Sequence, residues 1–177
     1  MAFALKYFFT EETAKPIRDI WNHLSQEGFS SFMSDSGSTP GLTLGVFEDA
    51  LEPELISLAK AFAGKAHPIS LQCWGIGSFP TNPAHVFLGI ILSRELSQWH
   101  ALFLRMASGL GMVSSYYLPG CWVPHSTLAI RCKPEDIAAI VKVCLLHETR
   151  PAVRVDRVAV VEIGSARLAG SFALPGI

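Results

Sequence analysis

Pro124-His125-Ser126-Thr127-Leu128-Ala129 decides how this chain is read, because it has a partner. Pro40-Gly41-Leu42-Thr43-Leu44 lies about 84 residues upstream and keeps the proline, the threonine and the leucine. On an extended strand, residues two apart share a face, so His125 and Thr127 present an imidazole and a hydroxyl together. The upstream copy presents Gly41 and Thr43 instead. Strict alternation puts His125, Thr127 and Ala129 on one face and Ser126, Leu128 and Ile130 on the other. Upstream it sets Gly41, Thr43 and Gly45 against Leu42, Leu44 and Val46. The leucines mark the core side, and the small residues Ala129 and Gly45 would leave room for a ligand.

The repeat extends beyond the motif. Thr10 and Glu12, after the apolar run Phe3 to Phe9, match Ser93 and Glu95 after the run Val86 to Leu92. Gly28 matches Gly111, and His67-Pro68 corresponds to Arg150-Pro151. Each half reads strand, helix, long loop, motif strand, helix, strand. The period is too long for a solenoid and occurs only twice, so a bilobal fold with a pseudo-two-fold axis is expected. One domain, 1–177, is predicted, with repeat halves of roughly 1–84 and 85–177 and interleaved lobes.

Helix signals agree with this plan. Thr13 with Pro16 in the first turn opens a helix whose apolar face is Ile17, Ile20, Trp21 and Leu24, and Gly28 stops it. Ser93 caps a second helix that buries Leu96, Trp99, Leu102, Phe103 and Met106 and ends near Gly109. Glu52-Pro53 and Lys133-Pro134 open another pair, with inner faces Leu55, Ala59 and Phe62 in one and Ile137, Val141 and Cys144 in the other. Alternating helices and apolar strands give an α+β or α/β layer structure. Two loops, 30–39 and 113–123, precede the motif strands in equivalent positions and are expected to border a site.

Half of the residues are hydrophobic and only 16% are charged, which excludes a disordered chain. The formal net charge of -1 argues against a duplex-DNA binder and for a small nucleotide or an RNA-end phosphate. The longest apolar run, Val86 to Leu92, is far short of a membrane span, so no membrane partner is expected. Lys6 interrupts the N-terminal apolar stretch and Glu11 and Glu12 follow it, unlike a signal peptide. Cys73, Cys121, Cys132 and Cys144 lack paired spacing, so neither a zinc site nor a disulfide framework is suggested. A cytoplasmic protein with reduced thiols is expected.

At these motifs the chain resembles the 2H phosphoesterase superfamily, in its 2'-5' RNA ligase-like or cyclic phosphodiesterase branch. Its members carry two His-x-Thr/Ser motifs on equivalent strands of two lobes. Pro124-His125-Ser126-Thr127-Leu128-Ala129 matches the second motif. Tyr116-Tyr117-x-Pro119-Gly120-x-Trp122 resembles the stretch before it in one bacterial clade, and Gly75-x-Gly77-x-Phe79 with Val86-Phe87-Leu88-Gly89 resembles the middle of the family. The departure is Gly41, which stands where the family has its first histidine. The resemblance implies an α+β bilobal fold, with antiparallel-rich sheet, outer helices and a central groove. It also implies hydrolysis or transesterification of 2',3'-cyclic phosphates or 2'-5' linkages without a metal or other cofactor. One imidazole would take a proton from the attacking group while the other protonates the leaving oxygen.

The candidate catalytic set is His125, Thr127 and Thr43, with Tyr116, Tyr117, Phe79 and Gly41 on the substrate. With one histidine absent, the expected behaviour is binding with at most weak hydrolysis. The alternatives are an inactive nucleotide- or phosphate-binding module and an interaction protein with an apolar dimer surface. His85, at the start of a central strand, is the histidine best placed to face the groove. If the lobe geometry is intact, a histidine introduced at position 41 is expected to project beside Thr43 and raise hydrolysis by on the order of 10² or more.

Overall fold

A computed structural model describes residues 1–111, 113–147 and 152–176. The first half contributes β1 (Phe3–Phe9), α1 (Glu11–Gln26), the short helix α2 (Phe32–Asp35), β2 (Gly41–Phe47), α3 (Glu52–Ala63) and β3 (Ile69–Phe79). The second contributes β4 (Ala84–Ile90), α4 (Arg94–Met106), β5 (His125–Cys132), α5 (Ile137–Leu145), β6 (Ala152–Glu162) and β7 (Leu168–Ala173). The fold is α+β, and all the strand pairs are antiparallel. β7 is the one strand among them with no counterpart in the repeat. Arg150 and Pro151, matched to His67-Pro68 in the sequence, lie outside the described residues.

The seven strands form an open sheet in the order β2-β1-β6-β3-β4-β5, with β7 paired to β6. β1 and β2 from the first half are joined by β6 from the second. β3 pairs through Ile69–Gln72 with β6 and through Cys73–Phe79 with β4, so it belongs to both lobes. Leu5, Tyr7, Leu42, Leu44, Phe62 and Phe103 are fully buried on the helix side, where Phe103 meets Phe47 and Phe62 edge to face at 6.1 and 5.9 Å. The opposite, open face carries the candidate site. Among the described residues no helix is long and apolar enough to cross a membrane.

Local signals place most helices. Ser93 caps α4 by accepting from the Leu96 amide at 3.1 Å. α1 buries Ile17, Ile20, Trp21 and Leu24 as the spacing predicts, but it begins at Glu11, with Thr10 rather than Thr13 at its N-cap. Thr13 is buried instead, its hydroxyl 3.2 Å from the Thr10 carbonyl. In α5 Ile137, Val141 and Cys144 pack against the core as the spacing predicts, Ile137 and Val141 partly buried, with Ile140 and Val143 buried beside them. Pro134–Asp136 form a turn of 3-10 helix that leads into α5.

Both motif strands carry a bulge directly after the threonine. Leu5 pairs with Gly45 and Lys6 with Thr43, leaving Leu44 extra; Val86 pairs with Ala129 and Phe87 with Thr127, leaving Leu128 extra. A bulge inverts the alternation that follows it. Gly45 and Ala129 therefore turn to the core, contrary to the expectation that they open space for a ligand. A Cβ at Gly45 would lie 2.9 Å from Phe103 Cε1, and Ala129 is fully buried. The carbonyls near each bulge are satisfied by side chains from outside the sheet. Trp122 Nε1 donates to Thr43 O at 3.1 Å, Trp21 Nε1 to Thr127 O at 3.0 Å, His100 Nε2 lies 3.0 Å from Leu44 O, and Ser30 Oγ donates to Ile130 O at 3.0 Å.

Candidate functional site

The second lobe opens into a cavity of about 530 Å³ lined by Phe79, His85, Phe87, Tyr116, Tyr117, Trp122, His125 and Thr127, with Pro80, Thr81, Cys121 and Val123 at its border. β5 delivers His125 and Thr127 before its bulge, β4 delivers His85 and Phe87, and the loop ahead of β5 supplies the tyrosines and Trp122. Five of the residues singled out from the sequence, His125, Thr127, Tyr116, Tyr117 and Phe79, therefore line one space. Gly41 and Thr43 are not among its lining residues. The loop at 30–39 borders a different cavity beside Ile130 and Arg131, where the Arg131 guanidinium lies 4.4 Å from the Phe32 ring centre.

Two histidines of the cavity have one ring nitrogen tied and one left over. His125 Nδ1 lies 2.7 Å from the Val123 carbonyl oxygen, which only accepts, so Nδ1 carries the proton and Nε2 is the free nitrogen. His85 Nδ1 lies 3.0 Å from Thr81 Oγ1, whose single proton goes to Pro83 O at 2.9 Å. The threonine must therefore accept, and His85 Nε2 is free as well. Phe79 and Phe87 stand against the His125 ring at 5.0 and 5.2 Å between centres. Burial against them pushes the His125 imidazole below the ordinary histidine range. The Val123 hydrogen bond opposes this, and the Lys6 and His85 charges add to the lowering. At neutral pH His125 is a neutral ring with an available lone pair, which is the form a general base requires.

The aromatic surfaces divide into walls and platforms. Phe79, Phe87 and Trp122 are packed within the fold, and burial holds the Tyr117 phenol above its ordinary range as a neutral donor. Tyr116 and Trp74, by contrast, are 78% and 56% exposed, enough to offer a ring face to a base. Trp74, which the sequence reading passed over, lies across Gly89, the residue paired with His125, where any Cβ would overlap the indole.

On the first lobe the open face is built differently. Gly41 is buried, and a Cβ there would overlap the Tyr7 carbonyl oxygen and sit 3.2 Å from Phe8 Cδ1. The missing side chain leaves no vacancy, which corrects the expectation that a histidine at 41 would project freely beside Thr43. What stands beside Thr43 is Lys6, its partner across β1 and β2. Leu5 and Tyr7 point into the core, so Lys6 and Phe8 take the open face, with Lys6 Nζ 5.9 Å from the Phe8 ring centre. A lone charge within a strand-like apolar run was the available signal for Lys6, but it was read only as evidence against a signal peptide.

Burial lowers the Lys6 ammonium to about 8. Because the folded value lies below the usual 10.5, both states are protonated below pH 8 and the fold bears the full desolvation penalty. Between about pH 8 and 10.5 the folded protein sheds a proton that the unfolded chain retains, so the Lys6 contribution to stability rises with pH. The rise should be on the order of 1 to 3 kcal/mol. It is read as the difference in urea unfolding between the wild-type protein and Lys6→Met, which cancels the opposing contributions of Tyr7, Cys73 and Cys144. A difference that stays flat across this window would show that Lys6 is solvated.

The family model for the 2'-5' RNA ligase superfamily matches residues 11–167. The chain belongs to that superfamily. No curated protein sequence matches it. Among solved structures, TT0787 of Thermus thermophilus is similar with a TM-score of 0.61 at 18% identity, covering 99% of each chain. LigT of Escherichia coli, crystallised with 3'-AMP, gives 0.57 at 17% identity over 98% of this chain and 94% of LigT. Usb1 of Kluyveromyces marxianus gives 0.55 at 11% identity over 98% and 97%. These likenesses establish the 2H phosphoesterase fold.

Within that superfamily frame, this chain brings together a neutral imidazole with a free nitrogen, a threonine hydroxyl two residues along, a second imidazole and exposed ring faces. Such a set can accept a proton, hold a phosphoryl oxygen and stack a base. Among the described residues no group of three or more His, Cys, Asp or Glu side chains is placed to hold a metal ion. The four cysteines are free thiols, with Cys132 and Cys144 buried.

Proposed function

We propose that this protein binds 2',3'-cyclic phosphate or 2'-5'-linked nucleotides, or the corresponding RNA ends, in the His125 cavity and hydrolyses them at most slowly, without a metal. The observation that carries this is the tautomer of His125: Nδ1 is committed to Val123, and Nε2 remains for the ligand beside Thr127. Thr127 holds a phosphoryl oxygen, and Tyr116 receives the base with Phe79 and Tyr117 at its edge. The crystallisation of LigT with 3'-AMP and of Usb1 with uridine monophosphate supports a nucleotide as the ligand class. His85 in the same cavity favours residual turnover, since it supplies a second imidazole.

Binding without turnover is the second reading, favoured by the packing at Gly41, which denies the first lobe a motif side chain. A panel of 2',3'-cyclic nucleotides and 2'-5' dinucleotides decides between them, with binding followed by calorimetry and products by chromatography. Saturable binding that Tyr116→Ala weakens by roughly 1 to 3 kcal/mol is expected, as for loss of one stacked base. Failure of every member of the panel to bind would overturn the proposal.

A further inference from the structure

The open face of the first lobe holds a cation for which the described residues provide no ion-pair partner. Lys6 is half-buried, and its register neighbours are Thr43 on β2 and Ala159 on β6. Arg157 pairs with Phe8 on the same face, so it stands diagonally beside Lys6. Neither Lys6 nor Arg157 forms an ion pair with a carboxylate among the described residues. A cation partly withdrawn from water without a partner is costly, and two like charges on one diagonal add to the cost. Such an arrangement is stabilised when an anion from outside the fold completes it. The Lys6 charge also acts on His125, which places the lysine within electrostatic reach of the imidazole.

We propose that Lys6, with the Thr43 hydroxyl beside it, is the anion-holding half of the nucleotide site, its ammonium bonding the phosphoryl oxygens of a ligand whose reacting edge faces His125. The inference rests on the nucleotide reading given above. It gives the first lobe a function despite Gly41, because β1 supplies from across the ladder the polar group that β2 lacks. The ammonium acts as a charged donor, so affinity for a phosphate-bearing ligand falls above about pH 8, where the unliganded lysine loses its proton.

The test compares the full chain with Lys6→Met, which keeps the length of the side chain and removes its charge. 3'-AMP and adenosine are titrated at pH 7, and the Lys6 ε-carbon resonance of the wild-type protein is followed with 3'-AMP, inorganic phosphate and pyrophosphate. In Lys6→Met the dissociation constant of 3'-AMP should rise by about 10-fold or more while that of adenosine stays unchanged, as for loss of a hydrogen bond to a charged group. Equal affinity of both proteins for 3'-AMP overturns the role of Lys6 and leaves the nucleotide reading intact. A wild-type protein that ignores 3'-AMP but shows a phosphate- or pyrophosphate-dependent Lys6 resonance retains the anion site and removes the nucleotide reading. A resonance indifferent to all three probes overturns the proposal, and this measurement decides the matter even if Lys6→Met does not fold.

Discussion

Gly41→His is expected to destabilise the protein by about 3 kcal/mol or more rather than to restore a catalytic pair, because the conflict begins at the Cβ. The atom would overlap the Tyr7 carbonyl oxygen, a backbone group held in the β1–β2 ladder, so no rotamer change relieves it. Gly41 has no left-handed φ, so the constraint is space and not backbone conformation. Gly41→Ala should therefore share most of the loss, on the order of 1 to 3 kcal/mol, since close-packed interiors do not absorb an overlap with main chain. Urea unfolding of both variants is the measurement. If Gly41→Ala proves as stable as the wild-type protein, β1 and β2 can separate at this point, and rescue by histidine returns as a possibility.

His125→Ala should lower hydrolysis of a 2',3'-cyclic nucleotide by about 10² to 10⁴. Removal of the ring takes away the free Nε2 and leaves Phe79 and Phe87 facing an emptied corner. The sign of the pH dependence follows from burial. A general base must be deprotonated, and the His125 value is displaced below the ordinary 6.5, so activity should persist on acidification until the pH passes below the usual histidine range. His85→Ala is expected to cost less unless His85 is the proton donor. Hydrolysis that survives His125→Ala undiminished would place the chemistry elsewhere.

The sequence made the repeat, the order of elements and the His125 strand readable, because these rest on apolar periodicity and on a motif whose two copies can be aligned. The Ser93 cap was legible for the same reason: one residue type at one position satisfies an orphan amide. The bulges were not. Alternation assumes an unbroken ladder, and nothing in Leu44 or Leu128 distinguishes a bulged leucine from a paired one, so Gly45 and Ala129 were assigned to the wrong face. Lys6 was hidden by its neighbours, since Phe3 to Phe9 reads as a strand buried on both sides, although its open face carries the charge. Gly41 was read as a loss of function in one residue, whereas the structure shows an approach of two backbones that no single-strand pattern records. Trp74 depends on which strands become neighbours, and that is decided by β3 crossing between the lobes.

The place of β6 between β1 and β3 has a consequence for the chain as it leaves the ribosome. β1 can pair with β2 early, but its other edge waits for β6, roughly 140 residues later, on the order of 10 s at ordinary rates of synthesis. Through that interval the nascent β1–β2 pair exposes an unpaired strand edge of the kind that recruits other chains. A cut at the repeat boundary would therefore leave β1, β2 and β3 without β6, the strand that joins β1 to β3 in the sheet.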